Sequence, residues 1–187
     1  MTKTIQSLIS DLDTSSDKVA ERVILKLSKI GKPAVCILIK TASDLSRPRA
    51  RKWSLQALGA IGDKRAAPLL VKTLKDERMT VKLHAIRALG RMKYKPAGPA
   101  IRRLLTDPSG GIRVNALDAL VEIKDKSSGK AIIKSLADEQ WYVRQHAAIA
   151  CGELKIIVSV SKLRKLLVHE NRKAVLDGAR IALSKLS

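Results

Sequence analysis

A chain of 187 residues with 37 Lys and Arg against 17 Asp and Glu has a formal net charge of +20, and 45% of it is apolar. That apolar share excludes a wholly disordered chain, and aromatics at 2% with no Phe exclude a core built on rings. An aliphatic core suits helix-on-helix packing, and the charge points to polyanionic partners without favouring any fold.

In chain order, the first 31 residues hold an apolar helical stripe from Val19 to Leu27. Asp11 and Asp13 fall in the stretch before it, so no signal peptide is expected there. The stripe then returns as Ala50 to Leu58, Val81 to Leu89, Ile112 to Leu120, Val143 to Cys151 and Val175 to Leu183. Its leading residue advances by 31 residues four times and by 32 once, which is the signature of a repeat array. The predicted repeats are approximately 1–31, 32–62, 63–93, 94–124, 125–155 and 156–187, in one domain spanning 1–187.

Each repeat reads as two helices. The second, helix B, carries apolar or small residues on one face, as in Val81, Ala85, Leu89 and Met92. The first, helix A, is marked by Ala67, Leu70, Val71 and Leu74, by Gly98, Ile101 and Leu105, and by Ile132 and Leu136. An acid stands in the turn between them: Asp44, Asp76, Asp107 and Asp138. It can accept from free N–H groups at the start of helix B or meet the cation of that helix's first turn. Those cations are Arg51, Lys82, Arg113 and Arg144, and they read as an internal Asp–Arg ladder. One apolar helix B position runs Ile24, Leu55, Ile86, Leu117, Ala148 and then Arg180, so residues 1–31 and 156–187 are expected to be caps.

Asp76, Val81-Lys82, Ala85 and Leu89-Gly90, with Asp107, Ile112-Arg113, Ala116 and Leu120, resemble the HEAT-repeat superfamily. Asp138, Val143-Arg144, Ala147 and Gly152 extend the likeness, which is nearest to the short repeats often called PBS-lyase HEAT-like. The resemblance covers essentially the whole chain. It implies an all-α, right-handed α-solenoid of six two-helix repeats. For function it implies a non-enzymatic binding scaffold, or alternatively a bilin lyase component or a DNA glycosylase-like enzyme.

Two basic features suggest where a polyanion would bind. Lys40, Lys72, Arg103, Lys134 and Lys165 place one cation per repeat near the end of helix A. Arg47, Arg49, Arg51 and Lys52 crowd the start of one helix B, and Arg172-Lys173 repeats the arrangement, at helix N-termini suited to a phosphate or carboxylate. On helix B a row of Trp53, His84, Asn115 and His146, with Arg87 and Arg91 beside it, is expected to line the concave side as a partner surface.

No catalytic residue, cofactor site or metal site is expected. His84 and His146 are two repeats apart, roughly 20 Å at the usual 8–10 Å between packed helices, so they cannot share one zinc. Gly129-Lys130 lacks the rest of a phosphate loop, because Lys124 and Ala131 occupy positions that need Gly and Ser or Thr. Gly59 and Gly62 read together as a helix C-terminal turn. Cys36 and Cys151 sit at apolar positions in different repeats and read as unbridged core thiols. No run approaches the roughly 18 apolar residues of a membrane span, so the expected setting is cytoplasmic. The expected partner is a protein, a nucleic acid or both, with no small-molecule substrate.

Overall fold

The computed structural model describes residues 2–187, with side chains from Thr4 onward. Among the described residues all regular structure is helical, and the twelve α-helices alternate between A and B types. The A helices are α1 (Thr2–Asp11), α3 (Val35–Ser43), α5 (Ala67–Thr73), α7 (Gly98–Arg103), α9 (Gly129–Lys134) and α11 (Val160–His169). The B helices are α2 (Asp17–Ile30), α4 (Pro48–Ile61), α6 (Met79–Arg91), α8 (Gly110–Glu122), α10 (Trp141–Glu153) and α12 (Lys173–Leu186). The chain is an all-α solenoid, and it divides into two compact units, Met1–Tyr94 and Lys95–Ser187.

The same local chemistry sets each boundary. Pro48 occupies the first turn of α4, and Pro68 and Pro99 that of α5 and α7, where a missing N–H costs nothing. Between A and B, the acid closes a tight turn by accepting the N–H two residues on. Asp44 takes Ser46, Asp76 takes Arg78, Asp107 takes Ser109 and Asp138 takes Gln140, all at 2.9–3.0 Å. Beyond helix B the chain reverses through one left-handed residue every 31 positions. Gly31 and Gly62 fill that place first (φ 71° and 74°), then Lys93, Lys124 and Lys155 (φ 49°, 57° and 55°). At Lys124 and Lys155 the following N–H returns to a carbonyl five residues back, Asp125 to Leu120 and Ile156 to Cys151, each at 2.9 Å.

Packing within each unit rests on aliphatic side chains and close B–B contact. Leu38, Leu55, Leu58, Leu70, Ile86 and Leu89 are fully buried in the first unit. Ile101, Ile112, Leu117, Leu120, Ile132 and Leu163 are fully buried in the second. The position that ends in Arg180 is buried at Ile24, Leu55, Ile86, Leu117 and Ala148, and Arg180 itself is exposed.

Gly59 departs from the expected terminal turn. It lies inside α4, where a Cβ would stand 2.8 Å from the Cα and Cβ of Ala88, so it is a contact glycine; Gly62 alone makes the reversal. Gly152 repeats the device against Ala182, with 2.8 Å to its Cα.

Candidate functional site

Most acids are used inside the repeats. The helix B arginine reaches forward to the turn acid of the following repeat, not to the acid of its own turn. Arg51 Nη1 lies 2.6 Å from Asp76, and its Nε donates to the Ala42 carbonyl at 3.0 Å. Arg113 donates to Asp138 at 2.7 Å and to the Asp107 carbonyl at 2.9 Å. Arg144 donates to Glu170 at 2.7 Å and to the Asp138 carbonyl at 2.8 Å.

Arg51 and Arg113 are 6% exposed, so these pairs belong to the core. Burial acts to raise the Asp76 carboxyl, but hydrogen bonds from Arg78 and Arg51 outweigh it and hold the group below its ordinary range. Arg144 does the same for Glu170. Glu170 follows Asp138 by 32 residues, as Asp76 follows Asp44, so a fixed 31-residue step from Asp138 lands on His169 and misses it.

The cations near the ends of the A helices have a different fate. Lys40 on α3 and Lys72 on α5, in the first unit, are exposed; so are Arg103, Lys134 and Lys165 on α7, α9 and α11 in the second. None of the five side chains forms an ion pair among the described residues. In the first unit, Lys40 lines a furrow between α1 and α3 with Ile9, Ile37 and Thr41, and Lys72 lines one between α3 and α5. In the second, Lys134 borders furrows on both sides of α9, and Lys165 lines the one toward α11.

The cluster from Arg47 to Lys52 does not converge. Arg47 lies 3.5 Å from Asp13 and donates to the Ile9 carbonyl at 3.4 Å. Arg51 is in the buried ladder. Lys52 sits 3.7 Å over the Trp53 ring and 4.0 Å from Asp17. Arg49 remains exposed, as do Arg172 and Lys173. At the last of these helix starts, the Arg172 N–H is already donated to Glu170.

The helix B row is also uneven. Trp53 departs from the expected exposed surface: it is 6% exposed, with its ring 5.9 Å from that of His84. His84 is half-buried, and burial, followed by the charges of Lys52, Arg87 and Arg91, pushes its imidazole down to about 4. Arg87 and Arg91 are exposed on the same helix. In the second unit, Asn115 donates back to the Gly111 carbonyl of its own helix at 2.7 Å. His146 Nδ1 lies 2.7 Å from Asp118, and that hydrogen bond raises its imidazole above the usual range.

Cys36 corrects the core-thiol expectation. It is exposed, with the Arg65 guanidinium 3.9 Å from its sulfur. Cys151 is buried, and its thiol is pushed up to about 11. Both are free.

Trp141 and Tyr142 stack edge-on with centroids 5.7 Å apart at the start of α10. Among the described residues, no three His, Cys, Asp or Glu side chains group as metal ligands, and no helix is long and apolar enough to cross a membrane.

Sequence reasoning missed the furrow between α9 and α11. Its apolar floor comes from Ile133, Leu136 and Leu166 with Ala137 at the open edge, and its rim carries Lys134, Lys162 and Lys165 with the imidazole of His169. The signal was available as apolar residues adjoining the ladder cations. Only the packing of two A helices shows that they face one space.

A sequence model described as HEAT repeats matches residues 5–78, 37–115, 69–138 and 99–184. No curated protein matches the chain. Among solved structures, an engineered protein is similar at 20% identity and a TM-score of 0.66, covering 98% of this chain and 96% of that one. The complex of CpcE and CpcF of phycocyanin lyase from Nostoc sp. PCC7120 is similar at 24% identity and 0.66, over 97% of this chain and 75% of that one. A designed armadillo repeat protein in complex with the peptide (KR)4 is similar at 18% identity and 0.64, over 97% and 98%.

Proposed function

The chain belongs to the HEAT-repeat family, and on that premise we propose that it is a non-enzymatic scaffold for a polyanionic partner, met by the A-helix cations that each unit exposes. The observation that carries this reading is the unequal use of charge. The turn acids are engaged within the repeats, whereas Lys40, Lys72, Arg103, Lys134 and Lys165 stand exposed without an acid. Such cations release counterions when they meet a polyanion, and Lys40, Lys72, Lys134 and Lys165 each adjoin a furrow. The designed armadillo protein bears a peptide of alternating cations. A repeat surface of the opposite sign suits a run of anions.

The test is a salt titration of the full chain with labelled duplex DNA and with polyglutamate. Binding at low salt should weaken steeply as salt rises, and for duplex DNA about five contacts give a log–log slope near −4.5. The triple variant Lys72→Gln, Arg103→Gln, Lys134→Gln should flatten that slope by up to about three contacts at unchanged helicity. Arg49→Gln should weaken binding further. The reading fails if neither polyanion binds at low salt, or if the triple change leaves binding untouched.

A further inference from the structure

The furrow between α9 and α11 differs in kind from the others. Its free volume of about 720 Å³ exceeds the roughly 570 Å³ between α7 and α9, the 390 Å³ between α3 and α5 and the 370 Å³ between α1 and α3. That is the size of an ordinary ligand cleft. α9 is only six residues long and continues as a tight 3-10 turn over Ser135–Ala137, which sets Leu136 on the floor and Ala137 at the open edge. Leu166 faces them from α11 and is only partly covered.

The rim is cationic on both sides, with Lys134 from α9 and Lys162 and Lys165 from α11. Glu170, the one acid lining this space besides the polar Asn171, is taken by Arg144 at 2.7 Å, and its side chain is 4% exposed. Its charge is spent, so the field above the floor stays positive.

We propose that this furrow is the docking site for an acidic protein segment, in which one aliphatic side chain seats on the Ile133–Leu136–Leu166 floor while flanking carboxylates meet the lysine rim. The inference rests on the scaffold reading and names the partner class within it. Charge complementarity selects the flanking acids, and the apolar floor selects the anchor. A nucleic acid satisfies the rim but not the floor: unpaired bases bind by stacking on large rings, and no Phe, Tyr or Trp side chain lines this space. The floor is aliphatic, and what fills it without strain is an aliphatic side chain.

The experiment uses the full chain and three fluorescent probes: an eight-residue Glu/Asp peptide with one central Leu, the same peptide with Gly there, and duplex DNA. At low salt the Leu peptide should bind about tenfold more tightly than the Gly peptide, the effect of burying one aliphatic side chain. Leu166→Gln should abolish that difference and leave the Gly peptide unchanged. Ala137→Trp, at an exposed position, fills the furrow without cutting into the core and should do the same, so a folding defect in the first variant leaves the test intact.

Lys162→Gln with Lys165→Gln should weaken both peptides alike and lower their salt dependence. Lys40→Gln, in the other unit, should leave the Leu preference unchanged. Equal affinity for the two peptides overturns the docking site while the scaffold reading stands. DNA that displaces the Leu peptide and ignores Ala137→Trp overturns the partner class. Absence of all binding at low salt overturns both readings.

Discussion

His84 and His146 carry the same imidazole but give stability of opposite sign with pH. His84 is held near 4 by burial and by Lys52 from α4 with Arg87 and Arg91 from its own helix, against a weaker opposing pull from Asp17 on α2. Its folded value lies below the unfolded value of about 6.5, so the unfolded chain binds the extra proton as pH falls from about 6.5 toward 4. Stability from this group is therefore complete at pH 7 and lost on acidification. The loss is about 1–2 kcal/mol after allowance for the water that still reaches the ring. Urea denaturation at pH 7 and pH 5 should show it, and His84→Gln should shrink the difference. His146, raised by Asp118, works the other way: its contribution is present below the unfolded value and fades as pH rises through the folded one. His146→Gln should therefore steepen the acid loss. The left-handed lysines are a second residue-scale case. Lys93→Gly and Lys124→Gly should each add roughly 0.5–1 kcal/mol, because relief of the Cβ clash outweighs the greater freedom of an unfolded glycine. Thermal melts check this, and an unchanged or lower Tm would contradict it.

At the scale of elements, helix B packs on helix B through a small residue set against an alanine. Gly59→Val should force α4 from α6 within the first unit, and Gly152→Val should force α10 from α12 within the second, since the opposing atoms include backbone. Overpacking of this kind costs about 1–3 kcal/mol or more, and Gly62→Ala makes a contrast, because no atom lies within 4 Å of its Cβ site and only backbone strain opposes it. The arginine ladder is the other inter-repeat device. Arg113→Met should cost about 3 kcal/mol by leaving the Asp138 carboxylate and the Asp107 carbonyl without their donor. Arg113→Lys should recover only part, since one ammonium cannot span both. Equal stability of the Met variant and the parent would remove the ladder from the account of stacking.

At the scale of the whole molecule, a net charge of +20 with the acids engaged internally leaves cations facing cations. Added salt should raise the Tm of the free protein between about 10 and 150 mM, because screening relieves that repulsion. A saturating polyanion should raise it further at low salt and lose its advantage as salt increases. The two curves should therefore converge near physiological ionic strength. A free protein whose Tm falls steadily with salt would mean that its surface ion pairs, such as Lys185–Glu153, outweigh the repulsion.

The sequence alone determined the helical class, the repeat period and the apolar face of the B helices, because those follow from which residues recur at 31 positions and on which helix face. The A-helix cations were legible for the same reason: an exposed cation near the end of a short helix needs no knowledge of its neighbours. Tertiary structure decided everything that depends on what a neighbouring helix places opposite a side chain. It turned Arg51, Arg113 and Arg144 forward to the next repeat, drew Trp53 inward against His84, left Cys36 uncovered and made Gly59 a contact glycine rather than a terminus. It also joined Leu136 on one A helix's 3-10 turn to Leu166 on the next A helix. A periodic pattern specifies position along and around one helix, whereas a groove, a buried charge or a shifted imidazole is set by the space between two.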